Sequence, residues 1–586
     1  MIVKQDVTIT HNSVGQNLAD FASLAEALDY AATGVTGANF YDARCNLTAV
    51  LPYSELRQQA LENAARLTRL GLQRGDHVAL VADTGPDFMV LFFACQYAGL
   101  VPFAMPVPAN LGSHSIYVQQ LQGLLIGGDA KVAIAHKNFF GFLQEAAQDV
   151  SDIKWLGTPE QLADLPATPA HPLVANAPDE PAYLQFTSGS TRFPQGVVIT
   201  GHAVMNNLRA IVRTGLAVTD GDRCASWLPF YHDMGLVGFV LGPIVSQLSV
   251  DYLPTRDFAI RPLQWLRLIS RNRCTIAFAP PFGYELCARR IRTADLEKLD
   301  LGCWRIAGVG AEMIRPGILD NFAEVMADTG FSAGAFLPCY GLAEASLAVS
   351  FSELDKGLDV MHVDALVMAK KSVAVRVQSD KRKINEIVNC GRAIPGHEIK
   401  IVNDQKQTQP DLRVGRVLIR GPSLMSRYLN GNGCSTTVLQ EDGWLDTGDL
   451  GYLFEDNLYL TGRRKDIIIV NGRNIRAQDL EDLAEQQPEV RMGDASAFGI
   501  SDDSGEQTVV LVVECRLAES TDRQTLINRL QKQVYQGFGI RCYVDLVPPH
   551  TLPRTSSGKL SRVAARKGFI ERVDWHNQTS GQSDLG

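Results

Sequence analysis

The sequence lacks paired cysteines. It has eleven cysteines in 586 residues, and no two of them are spaced as in the Cys-x-x-Cys pairs of zinc and redox sites. No histidine accompanies them at zinc-ligand spacing. An odd, dispersed set of cysteines is typical of buried thiols in a reducing compartment, so we expect a cytoplasmic protein.

Clustered basic charge is also missing. The chain has 55 Lys and Arg against 64 Asp and Glu, which gives a mildly acidic formal charge of −9. Nucleic-acid-binding proteins carry a basic patch or stripe, so we expect no nucleic-acid partner. The first six residues, Met1 to Asp6, lack the apolar core of a secretory signal peptide.

One uncharged run, residues 88–109, is long enough to span a bilayer. However, Pro102, Pro106 and Pro108 interrupt it. A buried helix to about residue 98, followed by a strand and a turn, explains these prolines better than a membrane span does. We therefore expect no transmembrane segment, with a membrane span as the alternative.

Hydrophobic residues make up 46% of the chain, enough to bury a large core in more than one domain. Short apolar runs alternate with helical patterns from residue 76 to residue 349, and the last helix predicted in this part covers residues 342–349. Such alternation is typical of α/β folds with mainly parallel sheets covered on both faces.

The pattern changes after residue 351. Residues 352–386 are mixed, charged and rich in valine, and we interpret them as an insertion. Residues 391–460 contain short strands and turns, which suggest a small β-barrel. Residues 467–586 are predicted to form a small α+β unit with a disordered polar tail after residue 575.

A polar stretch stands between two apolar runs, residues 182–186 and 197–199. It carries four hydroxyl residues and a glycine: Thr187, Ser188, Gly189, Ser190 and Thr191. Such a turn can aim backbone N–H groups and hydroxyls at one anion, which favours phosphate binding. An ordinary hairpin loop is the alternative. A Walker A loop is excluded, because the Gly-Lys-Ser/Thr of that motif is absent.

Three more polar clusters follow predicted strands. They are Tyr231-His232-Asp233, Gly310-Ala311-Glu312 and Tyr340-Gly341-Leu342-Ala343-Glu344. Ligands of open α/β sheets bind at the carboxyl ends of the strands. We therefore expect these clusters to converge on one site.

Taken in order, these motifs resemble those of the adenylate-forming superfamily, which includes acyl-CoA synthetases, peptide-synthetase adenylation domains and luciferases. Later parts of the same series are Asp446-Thr-Gly-Asp449, Gly462-Arg463 and Pro553-Arg-Thr-Ser-Ser-Gly-Lys559. The resemblance covers nearly the whole chain. It implies a large N-terminal domain (residues 1–462), a hinge (463–466) and a small mobile C-terminal domain (467–586).

Two features are similar to fatty acyl-AMP ligases in particular. One is Pro229-Phe-Tyr-His-Asp-Met-Gly-Leu236, and the other is the insertion at residues 352–386, which acyl-CoA synthetases lack. This resemblance implies activation of a medium- or long-chain fatty acid by ATP and Mg²⁺ to acyl-AMP, for transfer to an acyl carrier protein. A fatty acyl-CoA synthetase and a catalytically degenerate member remain the alternatives.

The resemblance also implies roles for single residues around the nucleotide. The Thr187–Thr191 loop would hold the β- and γ-phosphates, and Tyr340 would pack on adenine. Asp449 would accept hydrogen bonds from the ribose hydroxyls, assisted by Arg463. The remaining nucleotide contacts implied are Gly310, Ala311, Glu312, Gly341 and Leu342.

Catalysis is implied for three side chains. Glu344 would hold Mg²⁺, which proteins bind through a carboxylate and substrate phosphates; a carboxylate at a helix N-terminus is the alternative. Lys559 would contact the substrate carboxylate and the α-phosphate; an exposed loop lysine is the alternative. His232 would lie beside the acyl channel, where it could gate the channel or orient the substrate carboxylate; a structural histidine is the alternative.

The acyl chain and the hinge complete the expected site. Gly235, Gly238 and Gly242, spaced along one helix, would leave room for an acyl chain or only permit close helix packing. The resemblance places the hinge at Lys465 and Asp466. An acidic carrier protein could dock on a basic face made by Arg562, Arg566 and Lys567.

The phosphate loop departs from the family pattern at two positions. Arg192 stands where the family usually has glycine, and Gln195 stands where it usually has lysine. The second change removes one phosphate-directed charge, which Arg192 could replace.

Overall fold

The structure is a computed structural model that describes most of the chain. The described residues are 14–108, 114–187, 195–377, 384–429, 435–436, 438–440, 442–470, 473–501, 507–554 and 560–573.

Nine of the described strands form one sheet, which parallel pairing dominates. Five consecutive pairings, from Phe336–Gly341 to Gly37–Tyr41, are parallel. The strands lie in the order Arg392–Ala393, Ala348–Phe351, Phe336–Gly341, Ile306–Val309, Ile276–Ala279, Arg223–Ser226, Ser249–Tyr252, Gly37–Tyr41 and Leu47–Pro52.

A second sheet contains eight of the described strands. The four pairings from Pro181–Thr187 to Trp155–Gly157 are parallel. Its order is Ser435–Thr436, Arg427–Leu429, Gln195–Thr200, Pro181–Thr187, Val101–Met105, His77–Val81, Ala130–Ile134 and Trp155–Gly157. The predicted fold class, with two mainly parallel sheets, is confirmed.

Helices pack against these sheets. Their bounds are Leu24–Ala31, Tyr53–Leu67, Pro86–Ala98, His114–Gly127, Lys137–Ala146, Pro159–Ala163, Gly201–Ala210, Asp233–Gly235, Gly242–Val245, Thr255–Ile260, Leu263–Asn272, Pro281–Arg290, Thr293–Leu296 and Pro316–Met326. Two segments, Ile211–Gly215 and Leu236–Leu241, have the wider π-helical turn, which often marks functional sites.

The uncharged run at residues 88–109 is a buried helix followed by a buried strand. The helix Pro86–Ala98 begins with proline in its first turn and ends at Gly99, whose φ of 71° closes the helix in the left-handed region. The strand Val101–Met105 is buried throughout. No helix in the described part of the chain is long and apolar enough to cross a membrane.

The helix predicted for residues 342–349 is wrong. The structure has one 3₁₀ turn, Ala343–Ala345, and then the strand Ala348–Phe351, which pairs antiparallel with Phe336–Gly341. The Leu342 N–H donates to the Leu347 carbonyl at 2.8 Å. Strand pairing outweighs the local helical pattern, because it satisfies the backbone of both strands.

Four described strands of the region predicted as a β-barrel form an antiparallel sheet in the order Glu398–Val402, Gly415–Arg420, Leu445–Phe454 and Asn457–Arg463. Closure into a barrel stays a prediction. The interpreted insertion contributes the helix Ala365–Lys371 and two antiparallel strands, Val360–Asp364 and Ile384–Val388. Met361 and Val363 of the insertion share a hydrophobic cluster with Tyr452 and Tyr459 of the small sheet.

The C-terminal part has hydrophobic clusters of its own, which begin at Ile468, whereas the main cluster of the chain ends at Leu458. The predicted domain division stays a prediction. The strands are Ile467–Val470, Arg473–Arg476, Ala495–Ser501, Gln507–Glu514 and Cys542–Val547, and the helices are Ala477–Glu485, Ser520–Phe538 and Arg562–Val573.

Candidate active site

A cavity of about 790 Å³ lies where both large sheets, the small sheet and the predicted hinge meet. Its polar lining includes Thr187, Gln195, His232, Tyr340, Glu344, Tyr428, Asp449, Arg463 and Lys465. Its apolar lining includes Ile211, Val212, Leu216, Met234, Phe239, Leu248, Ile276, Phe278, Leu347 and Phe351. Residues from all four predicted polar clusters and from both later motifs before residue 470 therefore converge on the cavity.

Tyr340 and Asp449 form the best-defined polar contact in the cavity. The Tyr340 hydroxyl donates to Asp449 Oδ2 at 2.6 Å, and Arg463 Nε lies 3.1 Å from Asp449 Oδ1. Asp449 and Arg463 are opposite each other on the paired strands Leu445–Phe454 and Asn457–Arg463. The small sheet thus positions a carboxylate that can accept hydrogen bonds from a ligand's hydroxyls.

Burial sets the protonation behaviour of this group. Desolvation raises the pKa of Asp449 above the usual value for aspartate, while the charge of Arg463 and the hydrogen bond from Tyr340 act in the opposite direction. Burial and the neighbouring Asp449 also raise the pKa of Tyr340 well above 10, so its hydroxyl remains a donor. Tyr340 and Arg463 therefore hold the Asp449 carboxylate in a buried position, where it has little contact with water.

Glu344 lies on the 3₁₀ turn that replaces the predicted helix. Its Oε1 accepts a hydrogen bond from the Tyr428 hydroxyl at 2.6 Å, and its carbonyl accepts one from the Met425 N–H at 2.8 Å. Within the described part of the chain, Glu344 Oε2 makes no hydrogen bond. One carboxylate oxygen in the cavity is therefore available to a cation.

This donor set fits the magnesium ion that the resemblance implies. The described residues contain no group of three or more His, Cys, Asp or Glu side chains arranged as a metal cage. Mg²⁺ needs no such cage, because it is commonly held by one or two carboxylates together with substrate phosphates and water. Glu344 supplies one such carboxylate.

His232 lines the cavity at the start of the helical turn Asp233–Gly235. Its Nδ1 lies 2.7 Å from Asp233 Oδ1. The pairing fixes the orientation of the ring beside the apolar lining. Its role as a gate stays a prediction.

Several apolar residues of the lining lie in or beside the two π-helical segments, namely Ile211, Val212, Leu216, Met234 and Phe239. Gly238 and Gly242, predicted for the acyl pocket, both line the cavity. Gly235 does not, which corrects the prediction for that residue. A Cβ at Gly235 would lie 2.1 Å from the Pro229 carbonyl oxygen, so its absent side chain serves close backbone packing.

Comparison with known proteins agrees with this geometry. The profile of the AMP-binding enzymes matches residues 38–429. The chain belongs to this family.

Three relatives illustrate its place among the AMP-binding enzymes. A Caulobacter vibrioides protein, provisionally named an acyl-CoA synthetase, is 43% identical over 96% of this chain and 98% of its own. The medium-chain-fatty-acid–[acyl-carrier-protein] ligase JamA of Moorena producens is 31% identical over 89% of this chain and 90% of its own. A structure from a study of fatty acyl-adenylate ligases of E. coli and L. pneumophila is 45% identical, with a TM-score of 0.90, and the match covers 96% of this chain and 100% of that one.

The Gly310-Ala311-Glu312 cluster of this AMP-binding enzyme reaches the cavity through Ala311 alone. Ala311 has a φ of 67°, in the left-handed region. A Cβ at Gly310 would lie 2.8 Å from the sulfur of Cys339, so glycine is needed there for packing. Glu312 does not line the cavity.

Several predicted residues lie outside the described part of the chain. These are Ser188, Gly189, Ser190, Thr191 and Arg192 of the phosphate loop and Lys559. Thr187 and Gln195, the described residues on either side of that loop, are opposite each other on paired strands, and both line the cavity.

The two predicted hinge residues, Lys465 and Asp466, lie in different environments. Lys465 lines the cavity, where desolvation and the charge of Arg463 lower its pKa below the usual value for lysine. Asp466 instead pairs with Arg562 at 2.6 Å, and Arg562 also contacts Glu481 at 2.6 Å. Arg562 therefore forms ion pairs within the protein. This corrects the prediction that it belongs to a basic face on which a carrier protein docks.

Sequence reasoning missed several polar residues of the cavity, among them Tyr428 and Gln185. Tyr428 was not singled out, because nothing local links it to Glu344. Gln185 donates from Nε2 to the Tyr231 carbonyl at 2.9 Å, whereas its buried Oε1 has no hydrogen-bond partner in the described part of the chain. The position of Gln185, two residues before the hydroxyl-rich loop, was a sequence signal that could have identified it as a cavity residue.

Proposed function

We propose that this AMP-binding enzyme activates a medium- or long-chain fatty acid with ATP, and that it passes the acyl group to the phosphopantetheine thiol of an acyl carrier protein in the cytoplasm. The observation that carries the proposal is one continuous cavity. The Tyr340–Asp449–Arg463 group and Glu344 line this cavity together with apolar side chains such as Ile211, Val212 and Phe239. Such a cavity suits a nucleotide and an aliphatic chain together.

In the first step, an oxygen of the fatty acid carboxylate attacks the α-phosphorus of ATP. The bond from that phosphorus to the bridging oxygen of the β-phosphate breaks, and pyrophosphate leaves. Both reactants are anionic, so catalysis requires positive potential and in-line positioning. Lys465 and Arg463 place two cations at the described part of the cavity, and we assign Lys559 to the same task.

The remaining residues hold the reactants. We assign ribose binding to Asp449, adenine packing to Tyr340 and the β- and γ-phosphates to the Thr187–Thr191 loop. Glu344 would hold Mg²⁺, which supplies charge neutralisation at the phosphates. Gly238 and Gly242 leave space for the acyl chain.

In the second step, the acceptor thiolate attacks the acyl carbonyl carbon and AMP leaves. The acceptor distinguishes the two leading candidates. JamA, a carrier-protein ligase by name, and the insertion at residues 352–386 favour a carrier protein. The name of the Caulobacter relative favours CoA as the second candidate.

A mass-spectrometric assay tests the proposal. Protein, ATP, Mg²⁺ and a mixture of fatty acids are incubated alone, with CoA, or with a phosphopantetheinylated carrier protein, and Lys559→Ala serves as the inactive control. We expect acyl-AMP that persists with CoA and is consumed by the carrier protein. Accumulation of acyl-CoA would identify a synthetase instead. No acyl-AMP from any fatty acid would refute the activation step and favour a degenerate member with Arg192 and Gln195 in its phosphate loop.

A further inference from the structure

Tyr428 joins two distant parts of the chain at the cavity. It lies on the strand Arg427–Leu429, 84 residues after Glu344, and its hydroxyl donates to Glu344 Oε1 at 2.6 Å. Both side chains line the cavity. The contact is therefore a tertiary one made within the candidate site.

The segment that carries Tyr428 also holds the turn that carries Glu344. The Met425 N–H donates to the Glu344 carbonyl at 2.8 Å, and Ser346 Oγ donates to the Ser423 carbonyl at 2.9 Å. These two bonds fix the backbone of the turn but leave the glutamate side chain free to rotate. In the described part of the chain, Tyr428 is the residue that hydrogen-bonds the carboxylate itself.

Tyr428 also connects Glu344 to the strand Gln195–Thr200. Its strand pairs antiparallel with Gln195–Thr200, the strand that follows the loop, with Tyr428 opposite Val197. A carboxylate held by this strand is therefore also fixed relative to the strand Gln195–Thr200. Holding a ligand side chain in advance lowers the entropy lost when the ligand binds.

We propose that Tyr428 is a positioning residue that holds the Glu344 carboxylate in the orientation that receives Mg²⁺ with ATP. The proposal rests on the proposed function, because that function makes Glu344 a magnesium ligand. The Tyr428 hydroxyl occupies Oε1, and Oε2 is the oxygen left for the ion.

The test compares Tyr428→Phe with wild type in two measurements. The first is fatty-acid-dependent ATP–pyrophosphate exchange as a function of Mg²⁺ concentration. The second is Mn²⁺ binding in the presence of ATP, followed by electron paramagnetic resonance, which needs no turnover. We expect the half-saturating Mg²⁺ concentration and the Mn²⁺ dissociation constant both to rise about five- to tenfold, with the maximal exchange rate within about twofold of wild type, since a hydrogen bond to a charged group is a strong one.

Two controls separate positioning from stability. Tyr452→Phe removes a buried tyrosine hydroxyl outside the cavity, 3.3 Å from the Met361 sulfur, and should leave both metal constants unchanged. Glu344→Gln should weaken Mn²⁺ binding, and adding Tyr428→Phe to it should weaken binding no further. Tyr428→His, which keeps a ring N–H donor, should fall between wild type and Tyr428→Phe.

The outcomes distinguish the two levels of inference. Unchanged metal constants in Tyr428→Phe, or effects of Tyr428→Phe and Glu344→Gln that simply add, overturn the role of Tyr428 while the proposed function stands. If the wild-type protein shows no fatty-acid-dependent ATP–pyrophosphate exchange, the proposed function is refuted. The Mn²⁺ measurement then still decides the role of Tyr428. A wild type that binds no Mn²⁺ with ATP overturns the positioning role.

Discussion

Arg315 forms an ion pair with Glu485, joining the large N-terminal part of the molecule to the helix Ala477–Glu485 of the C-terminal part. The distance between Arg315 Nη1 and Glu485 Oε2 is 2.8 Å, and Arg315 Nη2 lies 2.6 Å from Asp482. Only 7% of the Glu485 side chain is exposed. Because Arg315 follows Gly310-Ala311-Glu312 by three residues, this contact links the segment that brings Ala311 to the cavity with the predicted mobile unit.

Replacing Arg315 by alanine should loosen the C-terminal part. The change leaves Glu485 buried without its cation, and we expect a cost of about 2 kcal/mol, below the 3–5 kcal/mol of a fully buried pair because Asp482 is partly exposed. Amide exchange in the helix Ala477–Glu485, measured by mass spectrometry, should accelerate about tenfold or more.

Arg273→Ala is the matched control for this experiment. Arg273 and Asp300 are 3.0 Å apart, and each side chain is 64% exposed, so solvent screens the pair and its loss should leave stability nearly unchanged. Equal exchange in the helix Ala477–Glu485 for both variants would show that the Arg315 contact does not hold the C-terminal part.

Asp449→Asn should bind ATP more weakly than wild type but unfold at a higher temperature at neutral to basic pH. Burial raises the pKa of Asp449, so its ionisation opposes folding as the pH rises from the usual aspartate value toward the folded value. Without ligand, the Asn variant should therefore melt at a higher temperature than wild type at pH 8, and this advantage should shrink at pH 4.5. ATP affinity should fall about tenfold or more, since hydrogen bonds to a charged acceptor are worth about 1.5–3 kcal/mol. A variant that melts below wild type at pH 8 would contradict this account.

Local signals predicted the elements that depend on local chemistry. The sequence predicted a buried helix ending at about residue 98, and the helix Pro86–Ala98 ends there, where Gly99 adopts the left-handed conformation. The helix predicted at residues 342–349 was wrong because the pairing of Ala348–Phe351 with Phe336–Gly341 is decided by tertiary structure. The resemblance found the Tyr340, Asp449 and Arg463 group, although no local pattern joins residues 109 positions apart.

Local backbone structure and long-range strand pairing account for the other differences between prediction and structure in the candidate site. Spacing placed Gly235, Gly238 and Gly242 on one helix, but in the structure Gly235 ends the turn Asp233–Gly235, Gly238 lies in the π-helical segment Leu236–Leu241 and Gly242 begins the helix Gly242–Val245. Gly235 packs on Pro229, whereas Gly238 and Gly242 line the cavity. Tyr428 could not be predicted, because its contact with Glu344 depends on the pairing of the strand Arg427–Leu429 with a distant strand.

Gly341→Ala should destabilise the protein. A Cβ at Gly341 would lie 2.0 Å from the Leu347 carbonyl oxygen, so the backbone around the Glu344 turn would have to shift. We expect a loss of about 1–3 kcal/mol, as for other overpacked sites, seen as a lower thermal midpoint and weaker ATP–pyrophosphate exchange. Gly317→Ala, in an open helical position of Pro316–Met326, should match or exceed wild-type stability. Equal midpoints for wild type and Gly341→Ala would contradict the crowding at this turn.

Gly238→Leu should restrict the enzyme to shorter fatty acids. Gly238 lines the cavity, and a Cβ there would meet the Leu347 side chain at 3.5 Å, so a small addition fits but a branched side chain extends into the apolar space. We expect kcat/KM to fall about tenfold or more for the longest accepted fatty acids and less than about threefold for hexanoate, since each lost methylene contact is worth about 0.8 kcal/mol. Gly141→Leu, at an open position on the helix Lys137–Ala146, should leave the chain-length profile unchanged. A uniform loss at all chain lengths in Gly238→Leu would instead indicate a distorted helix and would remove Gly238 from the acyl site.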